Sequence, residues 1–147
     1  MKFLYDASAL LNLLRELKAD ARSVLKGHYI LSLTKYEVGN AVWKEACLRR
    51  RLSVEEAEEL LRLLNVVYKL LDVVEPFDWD LVLKVACALE VTVYDSAYIV
   101  TSIERGFTLV TDDEKLRRKS ESSSRHLKEL LGREPLILCS EDVAKLR

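Results

Sequence analysis

Short apolar runs alternate with stretches of helical apolar spacing along this chain, and that alternation constrains its fold more than any other feature. KFLY (2–5), HYILSL (28–33), DVVEP (72–76), FTLVT (107–111) and PLILCS (135–140) read as strands. Between them lie 8–17, 34–50, 53–71, 79–91, 94–106 and a helix opened by DDEKLRRK (112–119). Strands separated by helices cannot pair as hairpins, so they form a parallel sheet joined by right-handed crossovers and covered on both faces. The expected fold class is α/β, a three-layer α/β/α sandwich with a short parallel sheet of about five strands. A length of 147 residues suits one domain, 1–147.

Local signals place the helix ends. Ser8 is a candidate cap for the first helix, and Thr34 followed by Glu37 fits a capping box, as does Ser53 followed by Glu56. Gly106 stands where a helix C-terminus favours glycine. KSESSSR (119–125) is the one low-complexity stretch, expected as a frayed helix end or solvent loop. Cys47, Cys87 and Cys139 lie far apart with no CxxC spacing, and are expected to be reduced packing residues.

Composition removes several function classes. Half the residues are apolar, too many for a disordered segment. With 23 Lys+Arg against 24 Asp+Glu the formal net charge is −1, so a nucleic-acid partner would be held by local patches or a bound metal, not by the overall field. No apolar run approaches the ~18–20 residues that cross a bilayer, and the N-terminus lacks the basic start of a signal peptide; no membrane association and a cytoplasmic location are expected.

Most charge belongs to solvated helix faces, but a few acids are placed differently. Asp6 follows the first strand directly, and Asp112 and Asp113 follow FTLV. Ligands of open α/β sheets bind at the carboxyl ends of strands, where strand order reverses. Glu37 and Asn40 share a helix face that starts near the same edge. Asp95 opens a helix of mostly apolar or small residues, with no Lys or Arg close in sequence to pair with it. Carboxylates gathered without basic partners repel one another unless a cation lies between them. Oxygen-only ligands suit Mg2+ or Mn2+, and such an ion supports phosphodiester hydrolysis. Each acid taken alone is as well explained as a helix cap, and for Asp112 that is the better account.

Taken in order, strand–Asp6-x-Ser8, Y-Glu37-V-x-Asn40-A, Y-Asp95-S-A-Y and L-V-Thr111-x-Asp113 resemble the PIN-domain family, most of all the compact VapC-type ribonucleases of toxin–antitoxin pairs. The resemblance implies a five-stranded parallel sheet, a carboxylate pocket for Mg2+ or Mn2+ and cleavage of RNA. Asp6, Glu37, Asp95 and Asp113 match the catalytic, metal-holding quartet. Ser8, Asn40 and Thr111 match its polar supports, with Asp112 a lesser candidate. It also implies a homodimer and a protein antitoxin as partners. Ser96 stands where the family commonly has Ala, and the segment before the last strand is longer than usual. Arg15, Lys35, Lys115, Arg117 and Arg118 are candidates for RNA phosphate contacts. The competing function is a catalytically silent PIN-fold module that binds nucleic acid or serves as a scaffold. A phospho-receiver domain is disfavoured, because the first strand offers a single acid and CSED, not Lys, follows the last.

Overall fold

In the computed structural model, which describes residues 1–146, five strands form one sheet in the order β3-β2-β1-β4-β5. They are β1 (Phe3–Tyr5), β2 (His28–Leu31), β3 (Leu71–Val74), β4 (Thr108–Val110) and β5 (Ile137–Leu138), and every pairing is parallel. The expected α/β sandwich with a five-stranded parallel sheet is therefore the fold.

Helices occupy both faces. They are α1 (Ala7–Leu17), α2 (Ala21–Leu25), α3 (Ser32–Trp43), α4 (Val54–Val67), α5 (Trp79–Leu89), α6 (Val93–Arg105), α7 (Glu114–Ser122), α8 (Ser124–Leu131) and α9 (Ser140–Ala144). The pleat of the strands divides the core in two. Phe3, Tyr5 and Val110 point into a cluster with α1, α2, α3 and α4, whereas Leu4, Leu31 and Leu109 point into one with α5, α6, α7 and α8. Successive residues face opposite ways, so a strand covered on both sides has no polar face. All three residues of β1, and all three of β4, are buried accordingly.

The central helix follows the same logic. Eight consecutive residues of α6, Ser96–Ile103, are buried, as expected of a helix surrounded by protein. Its two serine hydroxyls bond within the packing: Ser96 Oγ donates to the Val82 carbonyl at 2.6 Å and Ser102 Oγ to that of Ile99 at 2.7 Å. Asp95 is thus displayed at the end of a rod that the core holds on every side.

Several local expectations are revised. Asp6, not Ser8, caps α1, accepting the Ala9 N–H at 2.8 Å. Thr34 lies inside α3, two residues past its start, and its hydroxyl turns back to accept the Leu31 N–H at 3.1 Å. The bond runs backwards from the third helical residue to the N–H before the helix, whereas a cap at Thr34 would accept the N–H of Glu37. Residues 119–125 are not a loop: α7 continues to Ser122, α8 begins at Ser124, and Ser120 is buried. Cys47 and Cys87 are exposed and Cys139 is half-buried, so two of the three thiols are not packing residues. After Trp43 the backbone widens into a π turn, Lys44–Leu48. The Ser53–Glu56 capping box is present in both directions, at 2.7 and 3.1 Å.

Candidate metal centre

Strand order reverses between β1 and β4, the innermost pair of the sheet, in register from Phe3–Thr108 to Tyr5–Val110. The pairing extends one bond further, from the Asp6 N–H to the Val110 carbonyl at 3.1 Å. Asp6 and the turn after β4 therefore leave the sheet side by side. Asp113 caps α7, accepting the Leu116 N–H at 3.0 Å. The helix α3 begins at the carboxyl end of β2 and carries Glu37 to the same edge. Asp95 stands in the first turn of α6, whose cap Thr92 accepts the Asp95 N–H at 3.1 Å.

These four carboxylates line one cavity of about 560 Å³, together with Ser8 and Asn40. Among the described residues none of the four lies within ion-pair distance of a Lys or Arg. Hydroxyls hold them instead. Asp6 receives hydrogen bonds from Ser8 Oγ at 2.7 Å and from Thr111 Oγ1. The Thr111 hydroxyl also accepts the Asp113 N–H at 3.1 Å, so one buried side chain ties two acids together. Tyr98 is 1% exposed and its hydroxyl donates to Glu37 Oε1 at 2.8 Å. That hydroxyl lies 2.7 Å from Thr34 Oγ1; its single proton is committed to Glu37, so Thr34 is the donor.

The electrostatics follow from burial without countercharge. Burial pushes the Asp6 carboxyl up to about 6, even against three hydrogen bonds that favour its charged form. Glu37 is raised by burial and then by the charges of Asp6 and Asp95; Asp95 is raised by burial and then by the charge of Asp113. Each acid is felt by a neighbour, which is the signature of a site short of positive charge.

Whether the donors suit a cation depends on its hydration. Among the described residues no three of His, Cys, Asp or Glu close on one point as a ready cage. The same four acids nevertheless share one open cavity. The two observations agree for an ion that keeps most of its waters and takes only one or two carboxylates directly, as Mg2+ does. An all-oxygen donor set, uncompensated and roomy, fits such an ion and does not suit one that needs sulfur or nitrogen.

Other candidates fall elsewhere. Asp112 does not line the cavity; it accepts the Asn12 amide and the Ser140 N–H, each at 2.7 Å, and so ties α1 to α9. Lys115 lies near enough for its charge to act on Asp95, and Arg15 acts on Glu45. Lys35 packs over the Tyr68 ring at 5.1 Å. Arg117 lines a separate cavity of about 600 Å³ beside Glu121, Glu134 and Asp142. Arg118 pairs with Glu114 at 3.3 Å. The basic groups that do reach the carboxylate cavity are Lys44 and Arg49, the latter held by Glu45 at 2.7 Å. Both escaped the sequence reading because the π turn sets their direction, and nothing in KEACLRR announces such a turn.

A parallel sheet with carboxylates at its switch point defines a class, and comparison with known proteins agrees. The PIN-domain model matches residues 3–122, and the chain belongs to that family. Within it the chain is similar to the VapC proteins of Pyrobaculum aerophilum. It is 38% identical to a protein named ribonuclease VapC3 over 128 residues, 81% of this chain and 95% of the relative. It is also 38% identical to one named exonuclease VapC9, over 94 residues covering 64% of this chain and 68% of that one. The crystal structure of PAE2754 from the same organism superposes with a TM-score of 0.75 at 31% identity, covering 99% of this chain and 89% of the other.

Proposed function

We infer that the chain is a metal-dependent endoribonuclease, hydrolysing RNA phosphodiester bonds as the toxin of a VapBC-type pair. The single observation that supports it most is the set of four carboxylates, brought from four elements into one cavity with no Lys or Arg among the described residues paired to any of them. The name of the VapC3 relative points to the same chemistry. Asp6, Glu37, Asp95 and Asp113 would hold Mg2+ or Mn2+, which when bound offsets phosphate charge and makes a water more acidic. The chain's own residues supply position. Ser8 and Thr111 fix Asp6, Thr111 orients Asp113 through its backbone, and Tyr98 fixes Glu37. Lys44 and Arg49 at the cavity wall are placed to meet phosphate oxygens, with Lys115 near Asp95.

In this proposal the unit is one domain, 1–147, that works in the cytoplasm as a homodimer and is restrained by a protein antitoxin. Among the described residues no helix is long and apolar enough to cross a membrane.

The test is cleavage of single-stranded RNA labelled at either end, with Mg2+, Mn2+ or EDTA, by wild type and by Asp95→Asn purified identically. Internal cuts that need the metal and vanish in Asp95→Asn support the proposal. Stepwise release from one end would make the enzyme an exonuclease. Equal cutting by both proteins would assign the activity to a contaminant.

A further inference from the structure

A second, smaller cleft of about 380 Å³ adjoins the carboxylate cavity, lined by Leu33, Tyr36, Glu37, Asn40 and Tyr94. Glu37 and Asn40 belong to both spaces, so the two are continuous along α3. Their chemistry differs sharply. The larger space is acidic with basic residues at its wall; the smaller is made of two phenol rings, a leucine, an amide and one carboxylate, with no Lys or Arg among the described residues that line it.

Tyr36 and Tyr94 immediately precede Glu37 and Asp95 in sequence, one on α3 and the other on α6, and both rings line the cleft together with Glu37. Tyr36 is 82% exposed and Tyr94 61%. Tyr98, one helical turn past Tyr94, shows what a tyrosine that supports the fold looks like here: fully buried, with its hydroxyl committed to Thr34 and Glu37. Neither Tyr36 nor Tyr94 has a ring contact or hydrogen bond among the described residues. Two large apolar rings left in water on either side of one cleft contribute little to folding, and such placement marks a binding surface.

We propose that this cleft is a nucleobase subsite, in which Tyr36 and Tyr94 stack on a base of the RNA strand whose phosphodiester lies in the carboxylate cavity. The proposal rests on the nuclease function inferred above and names how the substrate is gripped beside the cut. A phosphate is the wrong occupant, since the cleft has no cation and Glu37 would repel it. A base is neutral, has a π-face for each ring to meet, and presents an edge to which the Asn40 amide can both donate and accept. The continuity of the two spaces lets a strand place its backbone in one and a base in the other. A protein segment is the competing occupant, and the experiment separates it.

Binding of a labelled single-stranded RNA decamer is measured by fluorescence anisotropy in Mg2+, using the full chain with Asp95→Asn to prevent cutting. Added to it, Tyr36→Ala and Tyr94→Ala each weaken binding about tenfold, as expected for loss of base–aromatic stacking. Tyr36→Phe and Tyr94→Phe retain the affinity, because the ring and not the hydroxyl makes the contact. A decamer with abasic sites binds the parent weakly, and the double alanine variant does not distinguish it from intact RNA. Alanine variants that bind like the parent overturn the subsite. So does an equal loss on the abasic strand, or a change in oligomeric mass by sedimentation with RNA affinity unchanged, which would make the cleft a protein interface. Failure of this proposal is distinct from failure of the nuclease function. Wild type that cuts RNA, with alanine variants that cut and bind equally well, removes only the subsite; tyrosine-dependent binding by a protein that cuts nothing removes only the nuclease. A parent that binds no RNA overturns both.

Discussion

At the residue scale, single protons decide how the carboxylates stand. Tyr98→Phe removes the proton that holds Glu37 and leaves the Thr34 hydroxyl to find another acceptor. Loss of this bond is expected to cost about 1 kcal/mol of stability, measured by urea unfolding. Cleavage should fall roughly ten- to a hundredfold, as for other partners of metal-holding side chains. Asp6 yields a prediction in pH. Its folded carboxyl is raised to about 6 from an ordinary 3.8, so between those values the folded state binds more protons than the unfolded one. Asp6 should therefore cost the metal-free protein up to about 3 kcal/mol of stability as pH rises from about 4 to 6, alongside contributions of the same sign from Glu37 and Asp95. Asp6→Asn should reduce that slope in thermal melts taken in EDTA across pH 4–8.

At the scale of elements, helix ends make separable contributions. Ser53→Ala breaks a reciprocal capping box on α4 that touches nothing in the cavity; a loss of about 1 kcal/mol in stability with RNA cleavage unchanged is expected. Gly106 closes α6 at φ +69°, where a side chain is strained, so Gly106→Ala should cost about 1 kcal/mol. The strands and most helices were legible because their apolar periods are strong and because Gly27, Pro76, Gly106 and Gly132 punctuate them. Three of the four acids were legible for a related reason, since Asp6, Asp95 and Asp113 lie at the beginning of a helix or just past a strand, whereas Glu37 sits in the second turn of α3. What stayed hidden depended on distant packing. α2 and α9 are only five residues long, too short to show a period. The serine-rich stretch holds the junction of α7 and α8, because Leu116 and Leu127 anchor the two helices to the core on either side of Ser123. Thr34 read as a cap because Glu37 follows it at capping-box spacing, but α3 starts earlier, at Ser32, and the Thr34 hydroxyl serves the Leu31 N–H from inside the helix.

At the scale of the whole molecule, the cavity is a point where four elements meet under mutual repulsion, so a divalent cation should stabilise the fold as a ligand. Mg2+ at about a hundred times its dissociation constant is expected to add about 2.7 kcal/mol, read as a rise in melting temperature. That rise should be largely lost in Asp6→Asn and Asp95→Asn. The pairing of β1 with β4 has a consequence of another kind. Residues 3–5 meet residues 108–110, so the first strand has no neighbour on that side until Thr108–Val110 have been made. On a ribosome, a polypeptide interrupted before Thr108 carries Asp6, Glu37 and Asp95 but neither Asp113 nor the strand that sets them against it. If the proposed activity is right, fragments from translation abandoned before that point are harmless to the cell's messages, and the blade is assembled only once β4 and the turn after it have been made.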